Sequence, residues 1–271
     1  MPLRLALRTK NSVPLEVEGI TPDTVRGKSL AEIEKLEIFE GNAKSRLADF
    51  FTVSGGANDE IHEWEGDLAG VHWIGAKMKS GRILVSSNAG RHLGSEMGGG
   101  EIHVQGNAGD WVGGEMHGGL IHVRGNAGHL VGAAYRGSAR GMSKGTILIG
   151  GDAGDEIGRS MRRGLIAIRG TIGDLAGVNM LAGSIFLFGD SGIRHGAGMR
   201  RGTIAFLGGQ APPLLPSFRR ACRYRPQILQ PVFRHLRRLD FAFDDTLIAA
   251  SYDLYNGDFL NGGRGELLIR V

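Results

Sequence analysis

A glycine-led unit of 19 residues repeats through the middle of this 271-residue chain. Its leading glycines recur every 19 residues, apart from one interval of 26 residues between Gly119 and Gly145 that holds a seven-residue insertion within residues 135–141. The leading glycines are Gly81, Gly100, Gly119, Gly145, Gly164, Gly183 and Gly202. A unit this short cannot bury its own apolar face, so consecutive units are expected to stack on one another.

Each unit carries the pattern of one short strand. The second and fourth residues after the leading glycine are apolar in every unit, as in Ile102 and Val104 after Gly100. Such a period-two run of about five residues predicts a strand with one buried face. Further glycines later in the unit suit corners that need a positive φ. We therefore predict an all-β fold, a single-stranded parallel β-helix with 19-residue coils.

The methionines follow the same repeat. Apart from Met1, each of them stands three residues before a leading glycine. They are Met78, Met97, Met116, Met142, Met161, Met180 and Met199. Because methionine fills irregular gaps in apolar cores, we interpret this series as a buried ladder and not as a redox or metal device.

The chain divides into three predicted parts. Residues 1–60 form a small α+β N-terminal cap, residues 61–209 the glycine-repeat β-helix, and residues 210–271 a C-terminal extension for capping and partner contact. Residues 66–78 resemble an imperfect first coil. The elements predicted in the flanks are strands at Leu3–Arg8, Leu15–Ile20 and Phe51–Ser54, a helix near Leu30–Leu36, and a basic helix near Pro231–Leu239.

Composition limits the class of protein. The 46 glycines occur with only eight prolines and 41% hydrophobic residues, which argues against both collagen and disorder. No secretory signal and no apolar run of about 20 residues is found, so we expect a cytoplasmic protein without a membrane span. The single cysteine, Cys222, excludes an intrachain disulfide and an iron–sulfur cluster held by this chain alone. Phosphate-loop motifs are absent, and neither a nucleotide nor a nucleic acid is expected as a ligand.

Paired arginines stand out among the charged residues. Arg162 with Arg163, and Arg200 with Arg201, occupy the same corner of two units, and Lys144 precedes them in an earlier unit. The guanidinium group suits carboxylates and phosphates. Two interpretations stay open: an ordinary solvated corner, or a basic track for an acidic chain or an acidic partner.

An apolar column ends the outward-facing side of the strands. Phe186, Phe188 and Leu207 form a patch that a monomer would normally cover. Either the chain's own C-terminal extension covers it, or another subunit docks there.

Two further constellations have both a chemical and a structural interpretation. His103 and His122 would stack about 5 Å apart, as metal ligands or as packing residues. Asp155 and Asp174 fall at one repeat position, with a spacing that suits a retaining glycosidase pair, although aspartates beside glycine corners also serve in turns. The sequence therefore leaves a polysaccharide-active β-helix enzyme as one alternative.

The repeat resembles a known family. The 19-residue glycine repeat is similar to that of the carboxy-terminal domain of the glutamate synthase large subunit, and more closely to that of the C subunit of formylmethanofuran dehydrogenase. The closing segment, Tyr255 to Asp258 followed by Gly262 to Glu266, is also similar to the ending of this C-subunit family. The arginine-rich, cysteine-poor character is that of its bacterial branch, the formyltransferase/hydrolase complex.

This resemblance implies a scaffold without catalytic residues or metal ligands of its own. Its partners would be hydrolase, dehydrogenase-B-like and formyltransferase subunits, which together release formate from formyl-tetrahydromethanopterin through a methylofuran-type carrier. Since that carrier has an acidic glutamyl tail, the resemblance suggests that Arg162, Arg163, Arg200 and Arg201 bind it. An archaeal-type dehydrogenase and a detached glutamate-synthase-like domain stay open as alternative settings.

Overall fold

The computed structural model describes residues 1–8, 12–208 and 210–271, and within them the fold is mostly β, as predicted. The strands are β1 (Leu3–Leu7), β2 (Leu15–Glu16), β3 (Glu37–Glu40), β4 (Ala43–Arg46), β5 (Phe51–Ser54), β6 (Ile61–Glu65), β7 (Val71–His72), β8 (Arg82–Val85), β9 (Glu101–Val104), β10 (Leu120–Val123), β11 (Thr146–Ile149), β12 (Leu165–Ile168), β13 (Ser184–Leu187), β14 (Arg201–Phe206), β15 (Arg219–Tyr224), β16 (Tyr252–Gly257) and β17 (Arg264–Arg270). The helices are α1 (Pro22–Val25), α2 (Leu30–Glu34), α3 (Leu47–Phe50), α4 (Leu229–Arg238) and α5 (Thr246–Ala249), with a 3-10 turn at Phe259–Asn261.

The repeat strands form one parallel ladder within a 13-stranded sheet. From β6 through β8 to β14 each strand pairs with the strand of the next unit, and equivalent residues face each other: Ile83 pairs with Ile102, and Ile102 with Ile121. Ile121 in turn pairs with Ile147, across the longer interval. The seven-residue insertion therefore leaves the register of the ladder unchanged.

A second contact line joins the units eight residues after each leading glycine. Ala89 bridges Leu68 and Ala108, and the line resumes after the insertion, where Ile172 bridges Ala153 and Ser191. The strand and this second line hold each unit to its neighbours at two places. Residues 66–78, predicted as an imperfect first coil, join the line through Leu68.

The methionine ladder lies in the core, as predicted. All seven repeat methionines are fully buried, and their tips reach the leading glycine of the next unit. A Cβ added at Gly119 would lie 2.7 Å from the Cε of Met97 and 2.6 Å from the carbonyl oxygen of Gly100. The leading position must therefore be glycine, because methionine and backbone fill the space of any side chain there.

The apolar column is covered by the chain's own C-terminal extension. Phe186 is 2% exposed and packs edge to face against Phe233 of α4, with ring centroids 6.5 Å apart. Phe188 contacts Phe241 at 5.4 Å and Phe243 at 5.8 Å. Docking of another subunit on this column is therefore wrong, because burial within the chain already satisfies its apolar surface.

The flanks extend the ladder at both ends. At the N-terminal end β1 lies between β5 and β6, and at the C-terminal end β17 pairs in parallel with β14 before β16 and β15 continue antiparallel. A separate four-stranded sheet has the order β4-β3-β2-β7.

Most predicted elements of the flanks are present with adjusted ends. The predicted strand Leu3–Arg8 ends at Leu7, the helix near Leu30–Leu36 ends at Glu34, and Phe51–Ser54 has the predicted bounds. The strand expected at Leu15–Ile20 keeps only its first two residues, and the basic helix begins at Leu229 instead of Pro231. The hairpin of β3 and β4 and the strand β15 were not predicted, since charged residues dominate their sequences.

No helix in the described parts of the chain has the length and apolar character needed to cross a membrane.

Candidate functional site

The paired arginines lie at a sharp corner that precedes the ladder strands. The corner begins at a buried methionine and ends at a leading glycine with positive φ, 104° at Gly164 and 101° at Gly202. The backbone N–H of Arg162 donates to the Met142 carbonyl at 2.8 Å, and that of Arg200 to the Met180 carbonyl at 2.8 Å. The backbone is thereby fixed while the arginine side chains are exposed to solvent.

The four guanidinium groups carry uncompensated charge. In residues 1–8, 12–208 and 210–271, no carboxylate forms an ion pair with Arg162, Arg163, Arg200 or Arg201. Other arginines of the chain are paired, such as Arg82 with Glu101 at 2.9 Å. Exposed charges of one sign that lie within about 10 Å of each other attract anions at moderate ionic strength.

The structure adds a fifth arginine to this set. Arg264 begins β17 and pairs with Arg201 at the start of β14, and its side chain is exposed. The sequence carries a signal for this, because Gly265, Leu267 and Ile269 repeat the spacing of a ladder strand. We call Arg162, Arg163, Arg200, Arg201 and Arg264 the arginine corner. The arginine pairs do not form an unbroken row, since Leu181 and Ala182 occupy the corner of the unit between them.

The two stacked histidines are packing residues. Their ring centroids are 6.2 Å apart, and His103 Nε2 lies 3.2 Å from Glu101 Oε2. Burial lowers the pKa of His122 to about 4, with Arg124 as a further cause. Among the described residues no group of three or more histidine, cysteine, aspartate or glutamate side chains is placed to hold a metal ion.

The two aspartates of the glycosidase alternative serve the backbone. Asp155 Oδ1 accepts from the N–H of Asp174 at 2.8 Å, and Asp174 Oδ1 accepts from the N–H of Ile193 at 2.9 Å. Each side chain thus satisfies the donor of the equivalent residue one unit further on. These bonds favour the turn interpretation of the pair over catalysis.

An aromatic stack that the repeat does not predict joins distant positions of the chain. Trp73 and His92 stack with centroids 4.1 Å apart, and Trp111 stacks on His92 at 5.5 Å. Tyr135, the first residue of the insertion, closes the stack at 5.7 Å from Trp111. Its hydroxyl lies 2.9 Å from His92 Nδ1 and donates to Ser95 Oγ at 2.7 Å. The insertion is thereby fastened to the ladder.

Comparison with known proteins places this chain. A chain of the formyltransferase/hydrolase complex of Methylorubrum extorquens, solved with methylofuran, superposes with a TM-score of 0.89. The match covers 99% of each chain at 31% sequence identity. The C subunit of molybdenum-containing formylmethanofuran dehydrogenase 1 from Methanothermobacter marburgensis is 44% identical over 82 residues.

The chain belongs to the family of the formylmethanofuran dehydrogenase C subunit.

The curated relatives in this C-subunit family match only in part. The 82 residues shared with the molybdenum enzyme cover 30% of this chain and 20% of its relative. The C subunit of the tungsten-containing formylmethanofuran dehydrogenase 2 from the same organism is 40% identical over 93 residues, which are 33% of this chain and 34% of that relative. No family model matches the sequence. In this member of the C-subunit family, the closing segment forms β16, the 3-10 turn and the start of β17.

Proposed function

We propose that this chain is the non-catalytic scaffold subunit of a cytoplasmic formyltransferase/hydrolase complex. In that complex, hydrolase, dehydrogenase-B-like and formyltransferase subunits convert formyl-tetrahydromethanopterin to formate through a methylofuran-type carrier. The observation that carries the proposal is the 99% coverage of both chains in the match to the Methylorubrum extorquens complex. Similarity over the whole length includes the flanks, where contacts to partners are expected.

We also propose that residues 61–209 wind as a single-stranded parallel β-helix, with residues 1–60 and 210–271 as its caps. The ladder of equivalent residues and the second contact line support this path of the chain. A rod in which each unit contacts only its neighbours provides rigid, regularly spaced surfaces. Such surfaces suit a scaffold.

The polar side chains along the units support a structural task. Asn88 Oδ1 accepts from the N–H of Asn107 at 2.8 Å, and Asn107 Oδ1 accepts from that of Asn126 at 2.8 Å. Asp152 continues the series with a bond from the N–H of Thr171 at 2.7 Å. Side chains bound in this way stabilise the stack and do not face a substrate cleft.

An archaeal-type formylmethanofuran dehydrogenase is the second candidate setting, favoured by the curated relatives that bear this name. The shared segment covers 20% of the molybdenum relative and 34% of the tungsten relative, against 99% of the chain in the hydrolase complex. We therefore prefer the formyltransferase/hydrolase setting.

Purification of a tagged chain from its source tests the scaffold. We expect three partner subunits to co-purify, the complex to release formate, and the isolated chain to show neither activity. A co-purifying molybdenum or tungsten protein would instead assign the chain to a dehydrogenase, and purification of the chain alone would contradict both settings.

The arginine corner is our candidate site for the acidic tail of the carrier. Its exposed guanidinium groups have no carboxylate partner within the described structure, and a polyglutamyl chain offers carboxylates at regular intervals. The solved relative was in complex with methylofuran, which supports a carrier of this class. Because the corner is exposed, the attraction is expected to weaken with salt.

Charge reversal tests this site. The variant Arg162→Glu, Arg163→Glu, Arg200→Glu, Arg201→Glu should lower polyglutamate binding by roughly tenfold or more at low salt, since attraction becomes repulsion. Titration of the full chain with fluorescent polyglutamate measures it. The pair Arg136→Glu, Arg140→Glu, two exposed arginines of the insertion, is the control. Equal binding by wild type and the fourfold variant would remove the corner from the function.

A further inference from the structure

The edge strand β15 stands apart from the other strands of the large sheet. It is the outermost strand of the 13, pairs only with β16, and all six of its residues are exposed. At the opposite edge, β5 buries Phe51 and Val53 against the N-terminal elements. The chain's own core therefore does not explain the position of β15.

The outer side of β15 is available for pairing. In the described part of the chain, no backbone hydrogen bond joins residues 219–224 to anything other than β16. An unpaired edge of this kind is a template for a strand from another chain. A bulge between Arg220 and Cys222 is its single irregularity in register.

The charge of β15 selects among partners. Arg220 and Arg223 both bind Asp253, with nitrogen–oxygen distances of 2.7 and 2.8 Å, and the guanidinium groups hold the pKa of Asp253 well below its usual range. Arg219 and Arg225 are exposed, and neither forms an ion pair within the described structure. The edge is thus strongly basic, which repels a second copy and attracts an acidic segment.

An apolar cavity opens at the first residue of β15. Its volume is about 570 Å³, and it is lined by Pro216, Ser217, Arg219, Phe259 and Leu260. Phe259 is 54% and Leu260 85% exposed, although both are large apolar residues. The Phe259 N–H donates to the Ser217 carbonyl at 3.1 Å, which holds the turn beside the strand. A basic edge alone would serve only to prevent aggregation, whereas an adjoining apolar cavity indicates a bound side chain.

We propose that β15 binds an extended acidic segment of a partner chain. The segment adds to the sheet as a further strand, its carboxylates meet Arg219 and Arg225, and a large apolar side chain enters the cavity beside Leu260. The proposal rests on the proposed function only in requiring partner subunits. It does not depend on carrier binding at the arginine corner.

Cys222 offers a direct test, because it is exposed in β15 and is the chain's single cysteine. We expect its alkylation by iodoacetamide to be at least tenfold slower in the purified complex than in the isolated chain. Amide hydrogen exchange across residues 219–224 should slow in parallel. Unchanged rates in an intact complex would overturn the proposal and leave the scaffold function standing.

The identity of the occupant needs a separate arm. Protection lost together with a partner subunit supports the proposal. Cross-linking of Cys222 between two copies by a short bismaleimide would assign the edge to self-pairing and would overturn it. Purification of the chain without partners would contradict both this proposal and the scaffold function.

Exposed side chains allow variants that keep the fold. Arg219→Glu with Arg225→Glu, and separately Leu260→Asp, should each weaken assembly about tenfold or more in a dilution series of the complex. The control is Arg234→Glu with Arg238→Glu, which reverses two exposed arginines on α4. Unfolding temperatures of the isolated variants check the fold. Assembly unaffected by the first pair would reject the acidic partner.

Discussion

At the scale of single residues, the fold depends on corners where one atom decides whether a side chain fits. Gly113 has φ 63°, and a Cβ added there would lie 2.5 Å from the Cδ1 of Ile147. Gly94 and Gly132 meet the isoleucine of a neighbouring unit at 2.5 and 2.6 Å. Each such corner combines a conformation that glycine prefers with a core isoleucine that fills the space of a side chain.

The variant Gly113→Ala should therefore be destabilised by about 2 kcal/mol, from backbone strain and overpacking together. Urea unfolding measures this. The control is Gly70→Ala, where φ is not positive and no atom lies within 4 Å of an added Cβ. We expect this control to change stability by less than about 0.5 kcal/mol. Equal stability of the two variants would contradict the role of the corner.

His62 is the residue at which the ladder departs from its apolar pattern. It pairs with Ile83 in the register that places isoleucine in later units, is fully buried, and has no hydrogen-bond partner on either ring nitrogen. Burial lowers its pKa to about 4. The unfolded chain, with an ordinary histidine pKa of about 6.5, takes up the proton first as pH falls.

Stability from His62 should accordingly be complete above about pH 6.5 and be lost progressively down to about pH 4, a difference of about 3 kcal/mol. His62→Ile places the residue of the later units at this position and should remove that part of the pH dependence. Urea unfolding at pH 4.5 to 8 compares the two proteins. Between pH 7 and 8 their slopes should agree, and parallel curves down to pH 4.5 would contradict a neutral buried His62.

At the scale of elements, α4 determines what the outward face of the last units contacts. Phe233 is 1% exposed and lies against Phe186 and Phe243, with the Phe243 ring at 4.9 Å. Leu236 and Leu229 of the same helix are also buried. The helix is thus part of the core and not a free basic arm.

Removing the aromatic anchor should detach this cover. Phe233→Ala is expected to cost about 3 kcal/mol and to increase proteolysis between residues 225 and 250. Ile228→Ala, at a position 67% exposed just before α4, is the matched control and should behave as wild type. Resistance of the Phe233 variant to proteolysis would show that α4 is held by other contacts.

At the scale of the whole molecule, both ends of the ladder are closed by the flanks. β17 pairs with β14 over six residues, and Thr203 donates to Glu266 across this pair at 2.9 Å. Without the C-terminal extension, β14 would present a free edge beside the apolar column. An open edge of this kind is an aggregation site.

A chain truncated after residue 208 should therefore lose its monomeric state. We expect soluble aggregates or precipitation at micromolar concentration, seen by light scattering, whereas the full chain alone should remain dispersed. A truncated chain that is monomeric and unfolds at the wild-type temperature would show that the extension is not needed as a cap.

The sequence by itself determined the repeat architecture. Glycine and methionine at fixed positions impose the same corner and core in every unit, and each unit needs only its neighbours, so a local period predicted the ladder, the buried methionines and the exposed arginine pairs. The family resemblance likewise came from the repeat and the closing segment.

Only the tertiary structure decided what lies against the outside of the ladder. The cover of Phe186, the addition of Arg264 to the corner, the stacking of Tyr135 on Trp111, and the exposed edge of β15 join residues far apart in the chain. No period marks such contacts, because they depend on where a flank returns to the rod. Asp155 and Asp174 show the same limit, since their backbone bonds, and not their spacing, distinguish turn residues from a catalytic pair.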